Sequence, residues 1–479
     1  KALWVMSTNP AVSLPNANAV AAAIANVPFV AVSDIMAQTD TGDLADVLLP
    51  ATGWGEKDGT VTNSERRISR QRAFLPTPGQ ARPDWKIICE VATRMGWGDH
   101  FAYDSPADVF AEYIALSGAT RDFGCDLDLS VFADADYANL IPTQWPRDDH
   151  RFFADGAFFH TDGKAKMLPI FAPDLAPTHG FRLNTGRIRD QWHTMTRTGK
   201  SPRLGAHLAE PYVELHPSDV ARLGIETAGL ARVTSHNGQV AILRTLPADK
   251  VSPGHAFAPM HWTRQRSAAG WINAVVDVTT DPNSGQPALK SGMVQIERFD
   301  AAWYGYLVSA TPIIPDADYA AVARIQTGWQ AELAGVQAVA DWPAFLARLI
   351  DMAGCDISTV QGQGHTRIAL TRQGTLVALF FASPQPVVVS RAHVTAQIGT
   401  HAPGLVALAG RPGSGAPDPG ATVCSCMSVG INTLRDAISD GAHSVDALGV
   451  CTGAGTSCGS CRPELAQLII THTRPLAAE

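Results

Sequence analysis

The residues best equipped for chemistry lie near the end of the chain. Cys424-Ser425-Cys426 is followed, after thirty-one residues, by Cys458-Gly459-Ser460-Cys461. Thiolates are soft ligands, and four of them in two tight pairs suit a [2Fe–2S] cluster or a structural zinc. Each pair can deliver two sulfurs from a single turn. C-x-C is less usual than C-x-x-C in structural zinc sites, so the pattern favours iron. Gly453, Gly455 and Gly459 let the backbone bend closely around a metal. Between the pairs, residues 431–438 carry the spacing of an amphipathic helix. Pro463 opens another over 464–470, whose N-terminus would favour anionic sulfurs. Cys451 is a spare thiol and is not counted as a ligand.

A second set of candidates is polar. Thr185-Gly186-Arg187-Ile188-Arg189-Asp190-Gln191-Trp192-His193-Thr194 offers hydroxyls, backbone N–H groups, a guanidinium and an imidazole within ten residues. That inventory suits a phosphorylated heterocycle, because Arg pairs phosphate in a forked geometry. His193 by itself reads as a satisfied buried histidine; the run as a whole reads as a ligand loop. Nearer the start, Glu56-Lys57-Asp58-Gly59 through Glu65-Arg66-Arg67 reads, by itself, as a solvated loop with a charge run.

The elements that must position these groups fall into several textures. Over residues 1–100, apolar runs at 3–7, 29–34 and 46–50 alternate with a helix former at 17–25. This is an α/β pattern with a parallel sheet of the dinucleotide-binding type, its polar residues at the carboxyl ends of the strands. No G-x-G-x-x-G is present, so an ordinary NAD fingerprint is absent. A helix over 106–116 and a Pro/Asp-rich connector follow. From about 151, short strands at 181–184, 212–216, 230–235, 239–246 and 293–296 with tight turns indicate a six-stranded type of β-barrel. Residues 301–409 read as a small α/β spacer, with helices near 319–332 and 342–352 and strands at 366–370 and 376–381. Residues 410–420, rich in Gly, Pro and Ser, read as a flexible linker that would put the cysteine module on a mobile arm. The domain plan is therefore 1–150 α/β, 151–300 barrel, 301–409 spacer, 410–420 linker and 421–479 small helical [2Fe–2S] module.

Composition narrows the class. A 479-residue chain with 46% hydrophobic and 17% charged residues is an ordinary globular protein of several domains. A net charge of −8 argues against non-specific nucleic-acid binding. No apolar run is long enough to span a membrane. Cys89, Cys125 and Cys355 are widely spaced and suggest no disulfide framework, which fits a reducing cytoplasm. Lys1-Ala2-Leu3-Trp4 starts directly in a strand pattern, so the chain reads as cut from something longer.

The cysteine stretch resembles the bacterioferritin-associated-ferredoxin-like [2Fe–2S] domain, with Cys424, Cys426, Cys458 and Cys461 on its four ligand positions. Ser7-Thr8-Asn9-Pro10, Ser33-Asp34, Ala45-Asp46-Val47-Leu48-Leu49-Pro50, the 56–67 run and the 185–194 run together resemble a larger family. It is the C-terminal half of the catalytic subunit of the molybdopterin oxidoreductases, the dimethyl-sulfoxide-reductase superfamily, and within it the bacterial assimilatory nitrate reductases. The resemblance implies molybdenum held by two molybdopterin guanine dinucleotides (Mo-bis-MGD). It implies that Asn9, Ser33, Asp34, Lys57 and Asp84 line one dinucleotide in the α/β domain. Thr185, Gly186, Arg187, Trp192, His193, Thr194, Asn273 and Lys290 would hold pterin and phosphates from the barrel side. Around 259–262 the match is looser and no role is assigned.

The family's [4Fe–4S] cysteine motif and its protein ligand to molybdenum do not occur here, so both are expected on an N-terminal half, and no catalytic residue is assigned. The implied reaction is reduction of nitrate to nitrite in nitrate assimilation. Electrons would come from an NADH-dependent flavoprotein reductase, ferredoxin or flavodoxin through the [2Fe–2S] cluster. This chain alone is expected to be inactive, with no nucleic acid or membrane as partner. A formate dehydrogenase of the same superfamily, or a non-catalytic electron-transfer module, are the alternatives.

Overall fold

A computed structural model describes residues 1–119, 129–145, 153–158, 160–169, 180–401, 404–413 and 417–473. Two compact units emerge. Lys1–Thr8, Val27–Gln38 and Ala45–Pro177 form the first; Asn9–Asn26, Thr39–Leu44 and Thr178–Glu479 form the second. Cys125 lies outside the described residues, as do parts of the 101–150 connector and of the 410–420 linker.

In the first unit, Leu3–Met6, Val30–Asp34 and Val47–Pro50 form a parallel sheet in sequence order. Val30, Ala31, Val32 and Ser33 of the central strand are all buried, as expected of a strand flanked on both sides. Pairing of Met6 with Ser33 and of Asp34 with Pro50 brings Ser33 and Asp34 to the carboxyl end of the sheet. The 56–67 charge run is not a loop. Gly59–Thr62 pairs antiparallel with Arg67–Gln71, and Thr143–Gln144 adds a third strand. Asn63 makes the turn by accepting the N–H groups of Glu65 and Arg67 at 3.0 and 2.9 Å. The charges are consumed locally: Arg70 chelates Asp58, stacks over Tyr137 at 4.0 Å, and Tyr137 donates its hydroxyl to Asp58 at 2.9 Å. The helix Pro106–Ala119 packs Phe110 against Phe132 and Tyr137.

The second unit is built around a closed barrel. In spatial order its strands are Val240–Pro247, Tyr212–Leu215, His255–Pro259, Phe181–Gly186, Gly292–Arg298 and Leu230–Ser235. Inward-facing Leu183, Val213, Leu215, Val233 and Leu243 fill it. His255–Pro259 was not foreseen as a strand; it carries only five residues and ends in Pro. The helix Ala17–Ala25 groups with the barrel: Asn18 donates to Gln239 at 2.6 Å and accepts from Arg264 at 2.6 Å, and the Asn16 N–H reaches the Val276 carbonyl at 3.1 Å.

Residues 303–383 form a six-stranded antiparallel sheet, with Trp342–Leu349 on it as expected. The helix expected over 319–332 is instead the hairpin Tyr319–Ile325 and Gly328–Gly335. Alanine content suggested a helix, but these strands are buried on both faces, and small side chains fit the crowded sheet. Gly328 closes the turn where a Cβ would meet the Ser309 carbonyl oxygen at 2.1 Å.

Sheet and barrel are joined by buried charge. Glu210 accepts from Arg244 at 3.0 and 2.6 Å and from the Tyr319 hydroxyl at 2.7 Å. Burial raises the Glu210 pKa, but Arg244 and Tyr319 outweigh it and hold the carboxyl below its usual range. Arg244→Met strands the Glu210 carboxylate in the interior and is expected to cost about 3–5 kcal/mol at neutral pH in urea unfolding. Adding Glu210→Gln to that variant is expected to return part of the loss.

Candidate functional site

The four cysteines converge. Thr422–Cys424 and Val429–Gly430 form a short antiparallel pair, and Ile431–Ser439, Val445–Thr452 and Arg462–Thr473 are helices around it. Cys424 and Cys426 sulfurs lie 3.7 Å apart, Cys458 lies 3.5 Å from Cys426, and Cys461 touches Cys424. Cys424 and Cys461 are buried, Cys426 is half-buried and Cys458 is exposed. Burial acts to raise the Cys424 pKa, yet the N–H groups of Gly455 and Met427 and its neighbouring thiols bring it below normal; burial pushes Cys461 up. Gly455 reaches that sulfur because it sits at φ +78°, a conformation other residues rarely adopt. N–H groups aimed at thiolates, and four sulfurs linked one to the next by three contacts, fit an iron–sulfur cluster. Cys451 is exposed on its helix and joins none of these contacts among the described residues.

The module is seated on the barrel rather than carried on a loose arm. Arg189 donates to the Val423 carbonyl at 2.7 Å and to Glu464 at 2.6 Å, and its other nitrogen pairs with Asp190 at 2.7 Å. Ser425 donates to Asp190 at 3.0 Å, Arg203 donates to the Cys426 carbonyl, and His207 faces Glu464 at 3.2 Å. Although burial acts to raise the Glu464 pKa, His207 and Arg189 hold it below its usual value. The Gly/Pro/Ser linker therefore does not decide where the module sits; side-chain contacts beyond it do.

The 185–194 run divides by role. Thr185 donates its hydroxyl to the Leu289 carbonyl at 2.7 Å, and the Lys290 ammonium caps the Thr185 carbonyl, so Thr185, Gly186 and Lys290 form one corner. Arg187 is exposed and makes no ion pair among the described residues. Trp192 and His193 are exposed and pack edge to face with centroids 5.1 Å apart; Thr194 is half-buried. His193 is thus not a buried histidine. The buried one is His261, in the stretch left without a role. The Ile188 N–H donates to its Nε2 at 3.0 Å, and its Nδ1–H donates to the carbonyls of Trp192 and His193, each at 2.9 Å. A strand-ending Pro followed by Met-His-Trp gave no periodic signal that could have revealed this.

Asn9 and Asn273 meet at the short helix Pro10–Ser13. The Asn9 side-chain Oδ1 accepts the Thr41 N–H and hydroxyl at 3.1 and 2.7 Å, while its Nδ2 is buried without a partner. Asn273 donates to the Ser13 carbonyl at 2.8 Å, and its own amide oxygen is buried without a partner. Buried polar atoms are normally satisfied, so these two, among several such atoms of the described residues, are fit to meet a polar ligand. In the first unit, Ser33 accepts from Trp4 at 2.9 Å, Asp34 accepts the Met36 N–H at 2.9 Å, and Lys57 pairs with Asp84 at 2.9 Å. Burial raises the Asp34 pKa, with Asp84 adding to it, and the second Asp84 oxygen is a third buried orphan.

Comparison with known proteins then decides the family. Residues 1–94 match the molybdopterin oxidoreductase family, 181–293 the molydopterin dinucleotide binding domain and 422–471 the BFD-like [2Fe-2S] binding domain. The chain belongs to the molybdopterin oxidoreductases. A nitrate reductase of Klebsiella oxytoca is 40% identical over 98% of this chain and 55% of its own length. The assimilatory nitrate reductase catalytic subunit of Bacillus subtilis is 33% identical over 62% of this chain and 42% of its own. An F420-dependent formate dehydrogenase subunit alpha of Methanocaldococcus jannaschii is 32% identical over 62% of this chain and 43% of its own. This molybdopterin oxidoreductase chain spans about half the length of the curated relatives it matches. It carries a dinucleotide-binding barrel and a [2Fe–2S] domain, and within the second unit the orphaned atoms of Asn9 and Asn273 fit a polar ligand. Among the described residues, no helix is long and apolar enough to cross a membrane.

Two measurements follow from this geometry. Serine in place of Cys424, Cys426, Cys458 or Cys461 is expected to abolish most of the bound iron of anaerobically purified protein, whereas Cys451→Ser retains two irons per chain, read by iron analysis and visible absorption. The second concerns His261, whose pKa burial depresses against the pull of the His193 and Trp192 carbonyls. The folded state therefore resists a proton that the unfolded chain takes up near pH 6.5, so stability from His261 is complete above about pH 6.5 and declines as pH falls toward the folded value. Hydrogen exchange of the Ile188 amide, corrected for intrinsic rates, is expected to accelerate on acidification through that range. His261→Gln is expected to lose this acid dependence.

Proposed function

We propose that this chain is the C-terminal part of a molybdenum-dependent assimilatory nitrate reductase of the cytoplasm. The observation that carries the reading is the seating of the four-cysteine module on the barrel's cofactor loop, Arg189 reaching from one to the other. The Klebsiella oxytoca relative supports it, because its similarity runs through that module as well as the barrel. The formate dehydrogenase relative covers 62% of the chain, and so weighs less for that alternative. A separate electron-transfer protein would leave the buried Asn9, Asn273 and Asp84 orphans without a purpose.

Molybdenum in Mo-bis-MGD, when bound, would supply two-electron oxygen-atom transfer, nitrate plus two electrons and two protons giving nitrite and water. The chain's own residues do the holding. Asn9 and Asn273 would offer one donor and one acceptor to a guanine dinucleotide. Thr185, Gly186, Arg187, Trp192, His193, Thr194 and Lys290 would meet pterin and phosphate, Arg187 being the uncommitted cation of the loop. Ser33, Asp34, Lys57 and Asp84 would line the dinucleotide bound in the first unit. Single electrons would enter at the exposed Cys458 side from a flavoprotein reductase, ferredoxin or flavodoxin. The molybdenum ligand and a [4Fe–4S] cluster would come from an N-terminal half.

The chain combined with the N-terminal part of the Klebsiella oxytoca relative and the cofactor is expected to form nitrite from nitrate with reduced methyl viologen. The chain alone is expected to form none. Formate oxidation by the combined protein without nitrite formation would sink the proposal, and nitrite from the chain alone would sink its half-enzyme reading.

A further inference from the structure

The 185–194 run was read from sequence as a ligand loop, but Arg189 within it and Arg203 in the stretch 187–207 that continues from it point elsewhere. Arg189 is only 19% exposed and its guanidinium is spent on Val423, Asp190 and Glu464. Val423 immediately precedes the ligand Cys424, and Arg203 takes the carbonyl of Cys426 itself. Two barrel arginines thus grip the backbone on both sides of the C-x-C turn. Asp190 takes the hydroxyl of Ser425 between them. The cysteines are asymmetric about this grip: Cys424 and Cys461 are buried, and Cys458 is exposed.

We propose that Arg189 is a positioning residue with two linked effects. It locks the [2Fe–2S] module onto the barrel loop, and its charge beside the buried edge of the cluster raises the cluster's reduction potential, leaving the exposed Cys458 edge to the electron donor. The inference rests on the four thiolates holding a [2Fe–2S] cluster. Reduction adds negative charge to the cluster, and a fixed cation nearby stabilises the reduced form, more strongly where water is scarce. The groups facing this edge are Arg189 and Arg203 against Asp190 and Glu464, with His207 between the two carboxylates. Losing Arg189 therefore removes a cation and leaves the two carboxylates with His207 and the Ser425 hydroxyl as their partners.

The test uses the full chain with its cluster, as Arg189→Lys and Arg189→Met. Hydrogen exchange is read over 187–207 and 422–424, and the midpoint potential by redox titration with electron paramagnetic resonance. Arg189→Met is expected to exchange severalfold faster in both segments and to have a lower potential. Arg189→Lys is expected to keep a potential near that of the unaltered chain. Faster exchange with an unchanged potential overturns the proposal, because a merely structural clamp would do that much, and so do an unchanged exchange and potential. Should Arg189→Met fail to retain iron, Glu464→Gln serves in its place, leaving the arginine contacts to Val423 and Cys426 intact. It is then expected to leave exchange over 422–424 unchanged and to raise the potential, and an unchanged potential overturns the proposal.

Discussion

A single stretch, 187–207, links the barrel to the cysteine module, and His261 is the side chain that holds its first turn in one conformation. Its imidazole is completely buried and satisfied at both nitrogens by the loop's own backbone, at Ile188 on one side and at Trp192 and His193 on the other. Only the neutral ring with its proton on Nδ1 can make all three contacts. Because the ring belongs to the segment following the strand His255–Pro259, the barrel itself sets the loop's shape. Arg187, Trp192 and His193 can then be exposed without being disordered by their own side-chain freedom, and Arg189 can be aimed at the cysteine module.

Buried charge recurs wherever two layers of this unit meet. Glu210, Arg244 and Tyr319 join the barrel to the antiparallel sheet, and Glu332 pairs with Arg391 at 2.6 Å close by. Arg189, Asp190 and Glu464 join the barrel to the cluster module. Such pairs gain little net stability over well-packed apolar residues, but a misplaced partner leaves a charge unpaired and is costly. They act here as registration: each allows one seating of one layer on another.

The polar candidates differ in how they are prepared for a ligand. Lys57 and Asp84 neutralise each other, and Lys290 is occupied by the Thr185 carbonyl. Asn9 and Asn273, by contrast, each have one half of the amide satisfied and the other half buried with nothing to bond. An amide so fixed presents a donor or an acceptor at a defined point, its rotamer already ordered by the bond it makes.

By itself the sequence determined the chemistry types and the local periodicities. The two cysteine pairs, the β-branched strands of the parallel sheet, the helices Ala17–Ala25, Trp342–Leu349 and Ile431–Ser439, and five of the six barrel strands are legible because they depend on residue type and short spacing. The helix expected over 319–332 was lost to burial on both sheet faces, a property of neighbours far away in sequence. The 56–67 run became a hairpin because Arg70 and Tyr137, the latter some eighty residues on, satisfy Asp58. Tertiary structure alone decided that His261 supports the 188–193 backbone, that Arg189 reaches Val423 and Glu464 of the cysteine module, and that a Gly/Pro/Ser linker leads to a seated module. A linker's composition reports the stiffness of its own few residues, whereas seating is fixed by ion pairs between residues 189 and 464, whose meeting no local pattern encodes.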